Sequence, residues 1–316
     1  MKSARLNKND CVLSSELADL PVLNRASTSA NVWCIIVNWN GWKDTLHCLV
    51  SLKRCTYPNL TPLVIDNGST NESVAAIRAA YPDILIQEIP SNLGFAGGSN
   101  VGIRYALAHG ADYVWLLNND TVPDPDALSA LVAKAATNKR IGAVASICYH
   151  ADNPPAVEAW GGAHVNLWVG FGRNSTRPRP DDWFHSLNGT SVLISREALK
   201  DVGLLDEVFF LYWEDTEFCL RLRKKGWKIA AAPDSRILHK VHGSSGGNRL
   251  TLDRHQTASG LRLLRLHSPY PRLAMFLFLT IRFAKRLAQL QFARCHSVWA
   301  GIQDYRKTLS APPKIS

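Results

Sequence analysis

Residues 113–121, Tyr-Val-Trp-Leu-Leu-Asn-Asn-Asp-Thr, run from large apolar side chains straight into two amides and a carboxylate. Such a run reads as a buried strand whose C-terminal tip carries Asn118, Asn119 and Asp120 on a tight turn. In open α/β sheets, ligands bind where parallel strands end. A carboxylate at such a tip suits a hard divalent cation that bridges a diphosphate. The same residues also make an ordinary polar turn, and this stretch alone leaves both readings open.

Five further stretches carry similar chemistry. Asn38-Trp39-Asn40-Gly41 sets two short amides and a ring after an apolar strand. Asn38 and Asn40 can read a nucleobase edge while the ring stacks, or they form a plain turn. Asp66, followed by Asn67-Gly68, can accept from a ribose hydroxyl, or it starts an Asx turn. Residues 92–100 contain Asn92, Gly94, Phe95, Gly97, Gly98 and Asn100. Glycines let a backbone approach phosphate at a helix N-terminus, although the GxGxxG spacing and a Walker lysine are absent, and a helix-entry turn is the alternative. Trp213-Glu214-Asp215 supplies either an N-cap with first-turn charge or a general base, with Trp213 able to stack on a sugar. His239 and His242 are each able to complete a metal site with Asp120, as well as being ordinary surface histidines. Asn188-Gly189-Thr190 and Arg196 are candidates for a sugar or acceptor pocket, or for simple packing.

Strand–helix alternation must position these groups. Apolar runs predict strands at 32–37, 63–65, 84–87, 113–117 and 141–147, with helical spacing at 43–53, 72–80, 99–109 and 126–136. That order implies a mostly parallel sheet with right-handed crossovers. Residues 153–184, rich in Gly, Pro, Trp and Arg, read as loops over a site, with a hairpin at 163–171. Further strands are expected at 191–195 and 228–232, and helices at 196–202 and 217–225. Residues 1–30 read as a poorly ordered leader without the apolar core of a secretory signal. Residues 31–247 then form the main domain and 248–316 a basic helical extension.

Charge is unevenly spread. The chain carries a formal +10, yet from residue 249 onward twelve bases face two acids, Asp253 and Asp304, so the preceding body is neutral. A neutral body argues against a nucleic-acid partner, and a basic tail points to an anionic membrane surface. The apolar stretch 273–281 is too short to cross a bilayer and reads as an interfacial helix or a core helix. Seven cysteines without a CxxC pair suggest free thiols in a reducing compartment and no structural zinc.

Taken in order, the motifs at 37–41, 66–69, 92–100, 117–120 and 213–215, with His239, resemble the family 2 inverting glycosyltransferases, most closely the rhamnosyltransferase-like branch. The resemblance covers roughly residues 31–247. It implies an α/β GT-A fold with a Rossmann-like, nucleotide-binding mixed sheet. It implies a nucleotide-diphosphate sugar donor, with dTDP-rhamnose the first choice and a UDP-hexose the alternative. The acceptor would be a glycan or lipid-linked oligosaccharide, met at the cytoplasmic face of the plasma membrane. By the same resemblance, Asn38, Asn40 and Asp66 match nucleoside-holding positions, and 92–100 the donor loop. Asp120 matches the last acid of a DxD motif whose first acid is Asn118 here, with Mg²⁺ or Mn²⁺ as cofactor and His239 as a second ligand. Asp215 matches the catalytic base. A nicotinamide oxidoreductase is the rival enzyme class, disfavoured by the missing GxGxxG. A non-catalytic membrane-associated protein is the remaining alternative.

Overall fold

The computed structural model describes residues 29–154, 156–240 and 249–310. Most of the leader expected at 1–30, and His242, therefore lie outside the described residues. The first half of the chain alternates as expected. It comprises β1 (Val32–Asn38), α1 (Trp42–Lys53), β2 (Leu60–Asn67), α2 (Ser73–Ala80), β3 (Leu85–Ile89), α3 (Gly94–Ala108), β4 (Tyr113–Leu117), β5 (Thr121–Pro123), α4 (Ala127–Ala136) and β6 (Ile141–His150). The second half adds β7 (Val157–Trp160), β8 (Gly162–Asn166), β9 (Phe171–Asn174), β10 (Ser186–Leu187), β11 (Ser191–Ser195), α5 (Arg196–Val202), α6 (Glu214–Lys224) and β12 (Lys228–His239). Three long helices follow, α7 (Arg249–His267), α8 (Pro271–Ala288) and α9 (Phe292–Ser310).

The main sheet runs β3-β2-β1-β4-β11-β6-β12-β5, with β7 added beside β6. Strands β3, β2, β1 and β4 are parallel neighbours, and burial on both faces of β1, β2 and β4 explains their near-continuous apolar sequences, while β3 at the edge is partly exposed. The sheet departs from the mostly parallel expectation at β11, which lies antiparallel to both β4 and β6. Only residues 188–190 separate β10 from β11, so no crossover helix is available to reverse the chain. The expected hairpin forms from β8 and β9, with Asn166 opposite Phe171, and β10 extends it into a small second sheet.

Several element boundaries shift in ways that matter for function. Helix α3 starts at Gly94 rather than 99, so much of the expected donor loop is helical. Helix α6 starts at Glu214 rather than 217, which places Asp215 in its first turn. Apolar clusters fill both faces of the main sheet. A Cβ on Gly102 would lie 2.4 Å from the Ile35 side chain, so α3 sits on β1 at a distance that only glycine permits.

The apolar stretch 273–281 belongs to an 18-residue helix, longer than the stretch itself. Its Ala274 and Phe278 pack with Leu261, Leu264, Ile302 and Tyr305 of the neighbouring helices. No helix among the described residues is long and apolar enough to cross a membrane. Asp253 on α7 is buried and receives Arg282, Arg286 and Arg294 from α8 and the start of α9. Those arginines outweigh the burial of Asp253 and hold its carboxyl below the usual range. The bundle is fastened to the main body by Arg262 to Asp206 at 2.7 Å and by Ser259 to the Leu211 carbonyl at 3.0 Å. Replacing Asp253 with Ala strands buried guanidinium charge, at a cost of about 3–5 kcal/mol. Thermal or denaturant unfolding of Asp253→Ala should show that loss as a lower midpoint.

Candidate active site

The strand tips of the parallel half meet as a hydrogen-bonded shelf. Asn38 stands opposite Asp66 at the ends of β1 and β2. Its Nδ2 donates to Asp66 Oδ1 at 2.8 Å and to Ser69 Oγ at 3.2 Å, while its Oδ1 accepts from Thr45 Oγ1 at 2.8 Å. Asn38 is fully buried, so it orients Asp66 rather than touching a nucleoside, which corrects its expected role. The Asp66 carboxylate also accepts from Ser69 N at 3.1 Å, three residues on rather than the two of the Asx turn read from sequence. Asn40 is exposed in the left-handed region at φ 55°, and its Oδ1 accepts from Thr70 N at 2.8 Å.

The next tip links β2 to α3. Asn67 Nδ2 donates to Asn92 Oδ1 at 3.1 Å and to the Gly94 carbonyl at 3.0 Å. Its Oδ1 accepts from Leu93 N at 3.0 Å. Gly94 has φ 75°, and a Cβ there would lie 2.1 Å from the Phe210 carbonyl oxygen, which itself accepts from Phe95 N at 2.8 Å. Gly97 lies over the Leu93 side chain and Gly98 over Asn67 and Val37. These glycines serve close packing of helix on loop and strand. Asn100 is also corrected. It is buried, with its amide clamped to both backbone groups of Leu205, at 2.8 and 3.1 Å.

At the tip of β4 the three consecutive residues diverge. Asn119 turns inward, donating to the Gly41 carbonyl at 3.3 Å and Thr45 Oγ1 at 3.1 Å, so it braces the turn rather than the donor. Asn118 is half-buried, and its N–H donates to the Thr190 carbonyl at 2.9 Å. Asp120 is buried beside His239, with Nε2 to Oδ1 at 3.5 Å. Pairing of β12 with β5 brings His239 opposite Thr121 and so fixes that approach. The other ring nitrogen, Nδ1, lies 2.7 Å from Glu158 Oε2. Burial opposes charge on His239, but Asp120 and Glu158 outweigh it and raise its pKa to about 9. Glu158 came with no sequence signal, since it sits 81 residues away from His239, on β7, in a stretch whose sequence reads as loop.

The third component is the start of α6. Tyr212 and Trp213 both lie in the left-handed region, at φ 68° and 71°. Two consecutive aromatic residues there store strain just before the acidic pair. Asp215 Oδ2 accepts from Gly189 N at 3.2 Å, and Oδ1 accepts from Thr216 N at 2.6 Å. A Cβ on Gly189 would press within 3.1 Å of that carboxylate, so glycine permits the approach. Burial raises the pKa of Asp215, and burial together with Asp215 raises Glu214 further.

Glu214 lines a small cavity together with Asp215 and Gly189. It is buried, its Oε2 has no hydrogen-bond partner among the described residues, and Phe95, Leu187 and Phe218 also line that cavity, of about 20 Å³. The Trp213 ring packs near Gly172 of β9, at 3.6 Å from where a Cβ would stand. Asn188 Oδ1 accepts from Thr190 N and Oγ1, shaping the turn at 188–190. Arg196 is the clearest misassignment. It lies at the far end of β11, where Ser195 pairs with Tyr113, and its guanidinium binds the Gly110 and Ala111 carbonyls and Asp112. Antiparallel β11 carries residue 196 to the opposite edge of the sheet from Asp120.

The arrangement suits an Asp–His cation site next to a buried acid. A ligating histidine commonly gives its other N–H to a carboxylate, as Nδ1 does with Glu158. Residues 33–203 match the family model described as Glycosyl transferase family 2. An N-acetylglucosaminyl-diphospho-decaprenol L-rhamnosyltransferase from Mycobacterium tuberculosis is 28% identical over 251 residues, 71% of this chain and 81% of that protein. A dTDP-rhamnosyl transferase, RfbF, from Shigella flexneri is 23% identical over 229 residues, 69% of this chain and 71% of that protein. Among solved structures, the mannosyltransferase PcManGT from Pyrobaculum calidifontis, in complex with GDP-Man and Mn²⁺, has a TM-score of 0.56 at 16% identity, covering 95% of this chain and 81% of its own. GalNAc-T7, with UDP, GalNAc and Mn²⁺, has a TM-score of 0.64 at 13% identity, covering 95% and 63%. The fold is therefore GT-A with a C-terminal helical extension, and the chain belongs to glycosyl transferase family 2.

Proposed function

We propose that this glycosyltransferase moves L-rhamnose from dTDP-rhamnose to a glycan or lipid-linked acceptor, by a single inverting displacement, in the synthesis of a cell-surface polysaccharide. The named activities of the two relatives support the sugar and the class of acceptor. The observation that carries the mechanism is the pair of backbone bonds through residues 188–190. Thr190 is tied to Asn118 and Gly189 to Asp215, so the buried acid sits beside the strand tip that leads to Asp120.

In this reading Asp215 accepts the proton of an acceptor hydroxyl while that oxygen bonds to the anomeric carbon. The bond from that carbon to the donor diphosphate breaks, and its electron pair leaves with the diphosphate. One displacement inverts the centre without a covalent enzyme intermediate. Burial strengthens Asp215 as a base, while Glu214, raised to about 8 by burial and by Asp215, favours its neutral form and keeps the pair from carrying two negative charges at neutral pH. Asp66 and Asn40 border the nucleoside side of the site, and Trp213 the sugar side. Asp120 and His239 are the groups that would hold a divalent cation. Such a cation offsets the charge developing on the leaving diphosphate. An imidazole beside a carboxylate suits Mn²⁺ better than Mg²⁺. Among the described residues no cluster of three or more His, Cys, Asp and Glu forms a closed cage. The remaining ligands would come from diphosphate oxygens and water, and Asn118 adds no charge to help.

Three results would test this. Asp215→Asn should lower turnover by about 10²–10⁴-fold and leave donor binding intact. Full activity in that variant would remove Asp215 from the role of base. The acid limb of the pH–rate profile should fall above the usual carboxylate range of about pH 4, because the base works only when deprotonated and burial raises its pKa. Glu158→Gln should weaken Mn²⁺-dependent donor binding by about 10–100-fold, read by thermal shift with dTDP-rhamnose across a metal titration. A response to UDP-hexoses in place of dTDP-rhamnose would replace the sugar and keep the site.

A further inference from the structure

Helix α8 is apolar on two faces, since Ala274 and Phe278 pack into the bundle while a second apolar stripe faces outward. Its arginines 282 and 286 point inward to Asp253, with Arg286 buried. Its outward stripe holds Leu273, Phe276, Thr280, Ala284 and Leu287, at the i, i+3 and i+4 spacing of one helix face, with Ile281 exposed beside it. Phe276 is 66% exposed, and the turn that follows adds Leu290 at 73%. Surface helices ordinarily place such side chains on the core and their charges in water. A contiguous exposed apolar stripe of this kind marks an interaction surface.

The stripe continues past the start of the helix. Tyr270 pairs with Trp168 at the tip of the β8–β9 hairpin, with ring centroids 5.1 Å apart, and both rings are exposed. Amphipathic rings of this type favour the boundary between hydrocarbon and water. Gly170 in the same hairpin tip lies under Phe278 and Leu264, so hairpin and bundle are packed as neighbours.

Charge selects the occupant. Arg265, Arg272 and Lys285 are exposed on the same helices. The two acids of the extension are both engaged, Asp253 with three arginines and Asp304 with Arg254. The bundle therefore shows a surface of one sign. Two copies meeting through it would bring like charges together, which disfavours a homodimer. An anionic bilayer satisfies both the apolar stripe and its basic flanks.

We propose that the outward face of α8, continued by the Trp168–Tyr270 pair, is a docking surface for an anionic lipid bilayer. This goes beyond a general attraction of the basic tail, because it assigns insertion to particular side chains. Gly172, on the same hairpin, faces Trp213 and hence the start of α6. Docking would hold the sugar side of the site near lipid headgroups. That last step rests on the lipid-linked acceptor proposed above, whereas docking itself needs no acceptor.

The test is co-sedimentation of the full chain with vesicles of phosphatidylcholine mixed with phosphatidylglycerol, against phosphatidylcholine alone, with no acceptor present. Binding should require the anionic lipid. The exposed double variant Leu273→Gln/Phe276→Gln should bind at least about tenfold more weakly while keeping the same unfolding midpoint. Arg272→Gln/Lys285→Gln should lose part of the preference for anionic lipid, and added salt should mimic it. Asp215→Asn should sediment like the parent, so failure of docking and failure of the proposed base are read separately. Unchanged binding in Leu273→Gln/Phe276→Gln, or no binding by the parent, overturns the proposal. So does a dimer in sedimentation velocity that those two substitutions dissociate, because the face would then belong to a second copy.

Discussion

Two backbone hydrogen bonds join the halves of the site. The N–H of Asn118 donates to the Thr190 carbonyl, and the N–H of Gly189 donates to the Asp215 carboxylate. Both exist because β11 enters the sheet antiparallel between β4 and β6, with Ser191 opposite Leu117. A parallel strand in that slot would place its first residues at the other edge, where Arg196 now sits. The reversed strand brings the turn at 188–190 against the tip that leads to Asp120. From there α6 needs only its first turn to present Asp215. Glycine at 189 completes the contact, since a side chain there would meet the carboxylate.

The electrostatics follow from that proximity. Asp66, Asp120 and Glu214 are buried, and Asp215 half-buried, near strand or helix ends. Desolvation disfavours the charged forms of Glu214 and Asp215, and each of the four acids has different partners. Asp66 is hydrogen-bonded by Asn38 and Ser69. Asp120 faces His239, whose charge Glu158 reinforces. Asp215 keeps two backbone donors, while Glu214 lies against an apolar cavity and favours its neutral form. A region organised in this way favours a cation and a diphosphate at one end and a single basic carboxylate at the other.

The C-terminal bundle applies the opposite logic. It turns arginines 282 and 286 inward beside its apolar core and leaves further leucine and phenylalanine outward, with Asp253 as the anchor that makes inward arginine tolerable. The same bundle holds the loop before α6 through Ser259 and Arg262, and reaches α6 itself through His267 and Glu217 at 3.2 Å. Any surface that seats the bundle therefore also bears on the segment that carries the strained Tyr212–Trp213 pair.

Local pattern was enough to place the parallel strands, the acids at their tips and the family resemblance. Apolar runs ending in Asp66 or in Asn118-Asn119-Asp120 identify their own strand ends, because burial and chain reversal are properties of a few adjacent residues. Uneven charge in the tail was equally legible, being a matter of composition. The roles of neighbouring amides were not. Asn38, Asn100 and Asn119 look like ligand-reading groups in sequence, yet each is spent inside the protein on a partner that folding supplies. Glu158 and the inward arginines of α8 were equally hidden, because their partners come from elements distant in the chain. Sequence alone determined which chemical groups stand at the strand ends. Tertiary structure alone decided which of them face the site, since the direction of β11, the pairing of β12 with β5 and the burial of Asp253 depend on contacts between segments far apart in the chain.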